Sequence, residues 1–121
     1  MTKVSEYHSQ GYNCAESIVK AFNDENNTNI PVSVATPFGG GMAVGGTCGA
    51  ITGALIALGS LKGREEATDA NNSRMYTRDL VSRVKEKYGT LECIELKRKG
   101  ITCREIIEYA YSILKESVEE I

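Results

Sequence analysis

The sequence predicts an all-α fold, a single bundle of about five helices with a glycine-rich loop ahead of the central one. Three observations carry this expectation. Each long stretch between chain breakers repeats its apolar residues at helical spacing, and none alternates like a strand over enough residues. Asn13-Cys14, Thr47-Cys48 and Thr102-Cys103 each pair a capping residue with a cysteine at the head of an apolar stripe. Nine of the twelve glycines lie between Gly39 and Gly63, so the permissive backbone is gathered in one place. The 121 residues fit one helical domain, 1–121, able to bury about two thirds of the surface its unfolded chain exposes.

Asn13 is the expected N-cap of the first long helix, and Glu16, three residues on, closes a capping box. Its inward stripe is Cys14, Ile18, Ala21 and Phe22; the asparagine-rich stretch Asn23–Asn29 ends it and Pro31 blocks a restart. A short helix is expected to start near Ser33, limited by Pro37. A flexible glycine loop follows, and Thr47 then caps a central helix with Cys48 in its first position, where free N–H groups and the helix dipole favour a thiolate. Gly49, Gly53 and Ala57 form a nearly bare stripe that lets another helix approach closely, and Leu55, Ile56 and Leu58 supply bulk.

After Lys62-Gly63, residues Arg64 to Tyr88 read as one long polar helix with a seam through Ala67, Ala70, Val81, Val84 and Tyr88. Its polar face suits solvent, with an active-site edge or a homodimer contact as the other readings. Gly89-Thr90 breaks it, and Leu91–Leu96 reads as one short turn carrying Cys93. Lys97-Arg98-Lys99-Gly100 closes that turn, and Thr102 with Glu105 opens the last helix as a second capping box. Its stripe runs Cys103, Ile107, Ala110, Leu114, Val118, which leaves Tyr109 and Tyr111 at the edge or in solvent.

Composition excludes several function classes. A net charge of −2 with acidic and basic residues interleaved gives no footprint for nucleic acid. The apolar run around Leu55 is too short and glycine-rich to span a bilayer, and the first residues lack a charged stretch followed by an apolar one, so a cytoplasmic location and no membrane association are expected. In that reducing compartment four cysteines point to metal ligation or redox chemistry more than to structural disulfides. No two cysteines form a Cys-x-x-Cys pair, which weighs against a thioredoxin-like site and most zinc-finger frameworks. If three helix starts converge, Cys14, Cys48 and Cys103 share one electropositive pocket, with Cys93 within reach. His8, in a polar segment, reads as a surface residue.

The segments Asn13-Cys14-Ala15, Phe38-Gly-Gly-Gly-Met42, Cys48-Gly-Ala-Ile-Thr-Gly53, Gly89-Thr-Leu-Glu-Cys93 and Cys103 resemble the bacterial and archaeal C_GCAxxG_C_C family of redox-active proteins, named for its cysteine pattern. The resemblance runs from about Gly11 to Leu114 and includes all four cysteines, although this chain reads Cys-Gly-Ala where the family name is written Gly-Cys-Ala. It implies an all-helical single domain with functional Cys14, Cys48, Cys93 and Cys103. Some relatives are similar to the cluster-bearing part of split-Soret cytochromes, which favours an iron–sulfur centre.

Three readings of the thiols follow. Four thiolates can hold a [2Fe–2S] or [4Fe–4S] cluster for electron transfer with a redox partner protein, or for cluster delivery. Cys48 can act as nucleophile of a thiol-disulfide oxidoreductase, resolved by Cys14, Cys93 or Cys103. The four can also hold a structural zinc.

Overall fold

The computed structural model describes residues 2–121. Among the described residues six α-helices run in order: α1 (Lys3–Ser9), α2 (Cys14–Asn26), α3 (Gly49–Lys62), α4 (Arg74–Tyr88), α5 (Cys93–Arg98) and α6 (Cys103–Glu120). Between α2 and α3 lie two 3₁₀ turns, Val32–Val34 and Thr36–Phe38, and a π turn, Gly41–Gly45. The all-helical expectation holds, with more helices than about five.

The bundle is built around α3, whose Ala50, Ile51, Ala54, Ala57 and Leu58 are fully buried. Its bare stripe faces α2 as expected. A Cβ on Gly53 would lie 2.8 Å from the Ala15 carbonyl oxygen and 2.9 Å from Ala15 Cα, and one on Gly49 would lie 3.4 Å from Cys14 Cβ. The missing side chains are therefore what allow α2 and α3 to close on each other. α6 covers the other side of α3 with Ile107, Ala110, Ile113 and Leu114, and Phe22 and Ile18 of α2 complete the core.

Three elements differ from expectation for physical reasons. The segment 64–73 is not helical: Arg64 donates to the carbonyls of Ala67 (2.6 Å) and Asp69 (3.0 Å), and Asn71 accepts from the Ser73 hydroxyl at 2.8 Å. Such local side-chain bonds compete with a helix ladder, and Ala67 and Ala70, with no neighbour to bury them, stay exposed. α4 starts only at Arg74 and packs through Leu80, Val84 and Tyr88. α1 was not foreseen; Thr2 caps it by accepting from Ser5 N–H at 3.3 Å, and Val4 docks it in the core. Tyr111 is buried, because its hydroxyl donates to Glu25 at the end of α2.

Candidate functional site

Four helix starts meet at one end of the bundle. Cys14, Cys93 and Cys103 are the first residues of α2, α5 and α6. Two of these starts are fixed by side-chain caps. Asn13 accepts from Glu16 N–H at 2.8 Å while Glu16 accepts from Asn13 N–H at 3.0 Å, the full box the sequence predicts. Thr102 accepts from Glu105 N–H at 3.1 Å, without the reciprocal bond.

Cys48 and Cys93 are placed differently. Thr47 does not cap α3; it lies opposite Glu92 in an isolated antiparallel bridge, and Cys48 itself is the N-cap. Cys48 N–H donates to the Leu91 carbonyl (2.8 Å) and Cys93 N–H to that of Gly46 (2.6 Å), so the two short segments hold each other beside the cavity. The glycine loop expected to be flexible is a defined left-handed turn, with φ of 65°, 63°, 60° and 63° at Gly40, Gly41, Met42 and Ala43. Holding Met42 and Ala43 there costs roughly 1–2 kcal/mol each. Gly41 cannot carry a side chain: its Cβ would sit 2.5 Å from the Gly46 carbonyl oxygen and 2.8 Å from Cys93 Cβ.

All four cysteines line one cavity of about 160 Å³, with Leu96, Ile101 and Ile106 as apolar wall. The convergence expected from the caps is therefore present, and it includes His8, which the sequence reading left on the surface. The imidazole lies within 4.8 Å of the Cys14 and Cys103 sulfurs. The available signal was Gly11 shortly before the Asn13 cap, which forces a tight α1–α2 turn and brings the end of α1 back beside Cys14.

The electrostatics reverse one expectation. Burial pushes the Cys48 thiol up to about 11, and the N–H groups of Ala50 and Ile51 offset only part of that. The helix start acts on Cys48 as foreseen, but the thiol is 3% exposed and desolvation outweighs it. Burial likewise raises Cys14, and the neighbouring Cys103, Cys48 and Cys93 sulfurs add to the shift because each disfavours another negative charge. Cys48 is thus an encased thiol, protonated at neutral pH in the metal-free protein.

The family model described as "Putative redox-active protein (C_GCAxxG_C_C)" matches residues 12–117, and the chain belongs to that family. No curated protein and no solved structure matches the chain. No helix among the described residues is long and apolar enough to cross a membrane.

Proposed function

We propose that Cys14, Cys48, Cys93 and Cys103 hold an iron–sulfur cluster, through which the protein exchanges electrons with a partner protein or hands the cluster on. The observation that carries this reading is the meeting of all four cysteines on one largely apolar cavity, with room for more than a single ion. The donor set suits the group, since four cysteines are the usual protein ligands of [2Fe–2S] and [4Fe–4S] centres.

The surrounding residues support the same reading. Buried thiols crowded together resist ionisation unless a cation replaces their protons, as metal ligation does. The positive ends of α2 and α6 face Cys14 and Cys103 and offset thiolate charge. Gly40 and Gly49 line the cavity without side chains, and at Gly49 a Cβ would press on the α2 start, 3.2 Å from Ala15 N and 3.4 Å from Cys14 Cβ. When bound, the cluster supplies a one-electron redox centre whose potential responds to nearby hydrogen bonds and solvent access. The thiol-oxidoreductase reading fares worse, because a nucleophilic Cys48 would have to be both accessible and ionised.

Anaerobic purification followed by iron, sulfide and zinc analysis, with visible absorption, tests the proposal. Iron and sulfide in matching amounts are expected, with loss of both in Cys14→Ser and Cys48→Ser. Iron-free protein that reduces a disulfide through Cys48 would replace this reading with the oxidoreductase; stoichiometric zinc without redox activity would replace it with a structural site.

A further inference from the structure

We infer that His8, Cys14 and Cys103 form a two-sulfur, one-nitrogen subsite that binds a single divalent ion of the zinc or iron(II) class without sulfide. The inference goes beyond the cluster reading: it shares two cysteines with it but needs neither sulfide nor a cluster. Its starting point is geometric. The three donor atoms lie within 4.8 Å of one another and come from α1, α2 and α6, so long-range packing has assembled them. Around a tetrahedral zinc, bond lengths of about 2.3 Å to sulfur and about 2.0–2.1 Å to nitrogen place such donors roughly 3.6–3.8 Å apart. The side chains therefore need to draw in by only about 1 Å to reach ligation.

Packing holds His8 in place. α1 is pinned by buried Val4 and by the Thr2 hydroxyl, which donates to Glu108 at 2.7 Å. Next to His8, Tyr7 meets the Tyr12 ring edge-on at 5.8 Å, with the Lys20 ammonium over both rings. The last turn of α1 is thereby locked onto the start of α2, and the imidazole is half-buried at the cavity.

Charge favours the mixed set. Two thiolates and a neutral imidazole around a divalent ion sum to zero, whereas four thiolates leave two negative charges against the apolar wall of Leu96, Ile101 and Ile106. Thiolate with imidazole also suits zinc and iron(II) better than the hard ions magnesium and calcium. Three protein donors leave a fourth position, which water can take without changing that charge.

The test uses cobalt(II) as probe, titrated into the full chain after anaerobic reduction and removal of metal and sulfide. One cobalt per chain is expected, with the intense visible bands of a tetrahedral thiolate site. His8→Ala should weaken binding at least tenfold, judged against the 10–100-fold losses that outer-shell changes alone produce. X-ray absorption of the zinc-loaded wild-type protein should show one nitrogen beside sulfur, a readout independent of how the variant folds. Wild-type affinity in His8→Ala, a shell of sulfur alone, or no binding overturns the inference. The two readings fail separately: iron and sulfide uptake with a sulfur-only zinc shell defeats the subsite, and a nitrogen-containing shell without iron and sulfide uptake defeats the cluster.

Discussion

The four cysteines are held by two different devices. Cys14 and Cys103 head long helices whose starts are fixed by a neighbouring side chain, Asn13 or Thr102. Cys48 and Cys93 owe their position to a backbone bridge between segments more than forty residues apart in sequence and to a left-handed turn that leaves no room for a Cβ at Gly41. The first device is local, so each member can tolerate change in the other. The second is mutual: Gly41, Gly46, Cys48 and Cys93 stand or fall together. Within one cavity the protein thus combines a robust half and a brittle half.

The strongest way to break the brittle half is Gly41→Val. The new side chain would meet backbone at 2.5 Å and Cys93 Cβ at 2.8 Å, at a φ of +63°. Strain of about 1–2 kcal/mol and overpacking of about 1–3 kcal/mol together give a loss of about 2–5 kcal/mol. Denaturant melts should read it directly, and metal binding that needs Cys48 and Cys93 should vanish with it. A variant with unchanged stability would mean that the turn does not brace the bridge.

Reactivity does not follow that division, since burial raises one thiol in each half, Cys14 in the first and Cys48 in the second. In metal-free protein near neutral pH, Cys48 with its pKa near 11 carries about 100-fold less thiolate than a thiol at its ordinary value of 9.0. Pulse alkylation with site identification by mass spectrometry should therefore find Cys48 labelled late, the reverse of what its helix-start position alone suggests. Because the folded state holds this proton more tightly than the unfolded chain, the associated stability is present below about pH 9 and disappears as pH rises through about 11. Early labelling of Cys48 at pH 7 would show that the burial account is wrong.

What was legible in the sequence follows the same division. Asn13, Glu16 and Thr102 announced α2 and α6 because caps are local, and Gly49, Gly53 and Ala57 announced the α2–α3 contact because helical period is local. The Thr47–Glu92 bridge was invisible because it joins distant segments, and Thr47 looked like a cap because its side chain is a good one. α1 has seven residues, too few to be stable without the neighbours that bury Val4, and so from sequence alone its His8 reads as a surface residue. The helix expected from Arg64 forms only from Arg74, because in its first ten residues a weak apolar seam lost to side-chain bonds with nearby backbone.

The halves are joined where α2 lies on α3, which Gly53→Leu would spread. The Ala15 backbone at 2.8 Å cannot give way as a side-chain tip can, and a loss of about 1–3 kcal/mol is expected. Gly59, on the same helix, has nothing within 4 Å of its Cβ position, so Gly59→Ala should leave stability unchanged or raise it by up to about 1 kcal/mol. Equal melting temperatures for the two variants would remove close packing as the reason for the glycine stripe.

The finest distinction lies inside the robust half, between its two caps. Asn13→Ala removes the bond accepted from Glu16 N–H, and it also removes the Asn13 amide's donation to the Thr36 carbonyl at 3.1 Å, a contact that ties α2 to the 3₁₀ turn ahead of the glycine segment. Glu16 would keep its bonds to the residue-13 N–H and to the Thr36 hydroxyl at 2.6 Å, so the box would loosen without opening entirely. Thr102→Ala removes one bond of 3.1 Å at an exposed helix start with no second partner. Cap losses run from about 0.5 to 2 kcal/mol, which places Asn13→Ala near the upper part of that range and Thr102→Ala near the lower. Thermal melts of the two metal-free variants should separate them in that order. Cobalt affinity should fall further in Asn13→Ala, since a frayed α2 start moves the Cys14 sulfur directly, whereas α6 remains clamped below Cys103 by Ile106 and Ile107. The opposite order would mean that the start of α6, and not the capping box of α2, sets the position of this pair.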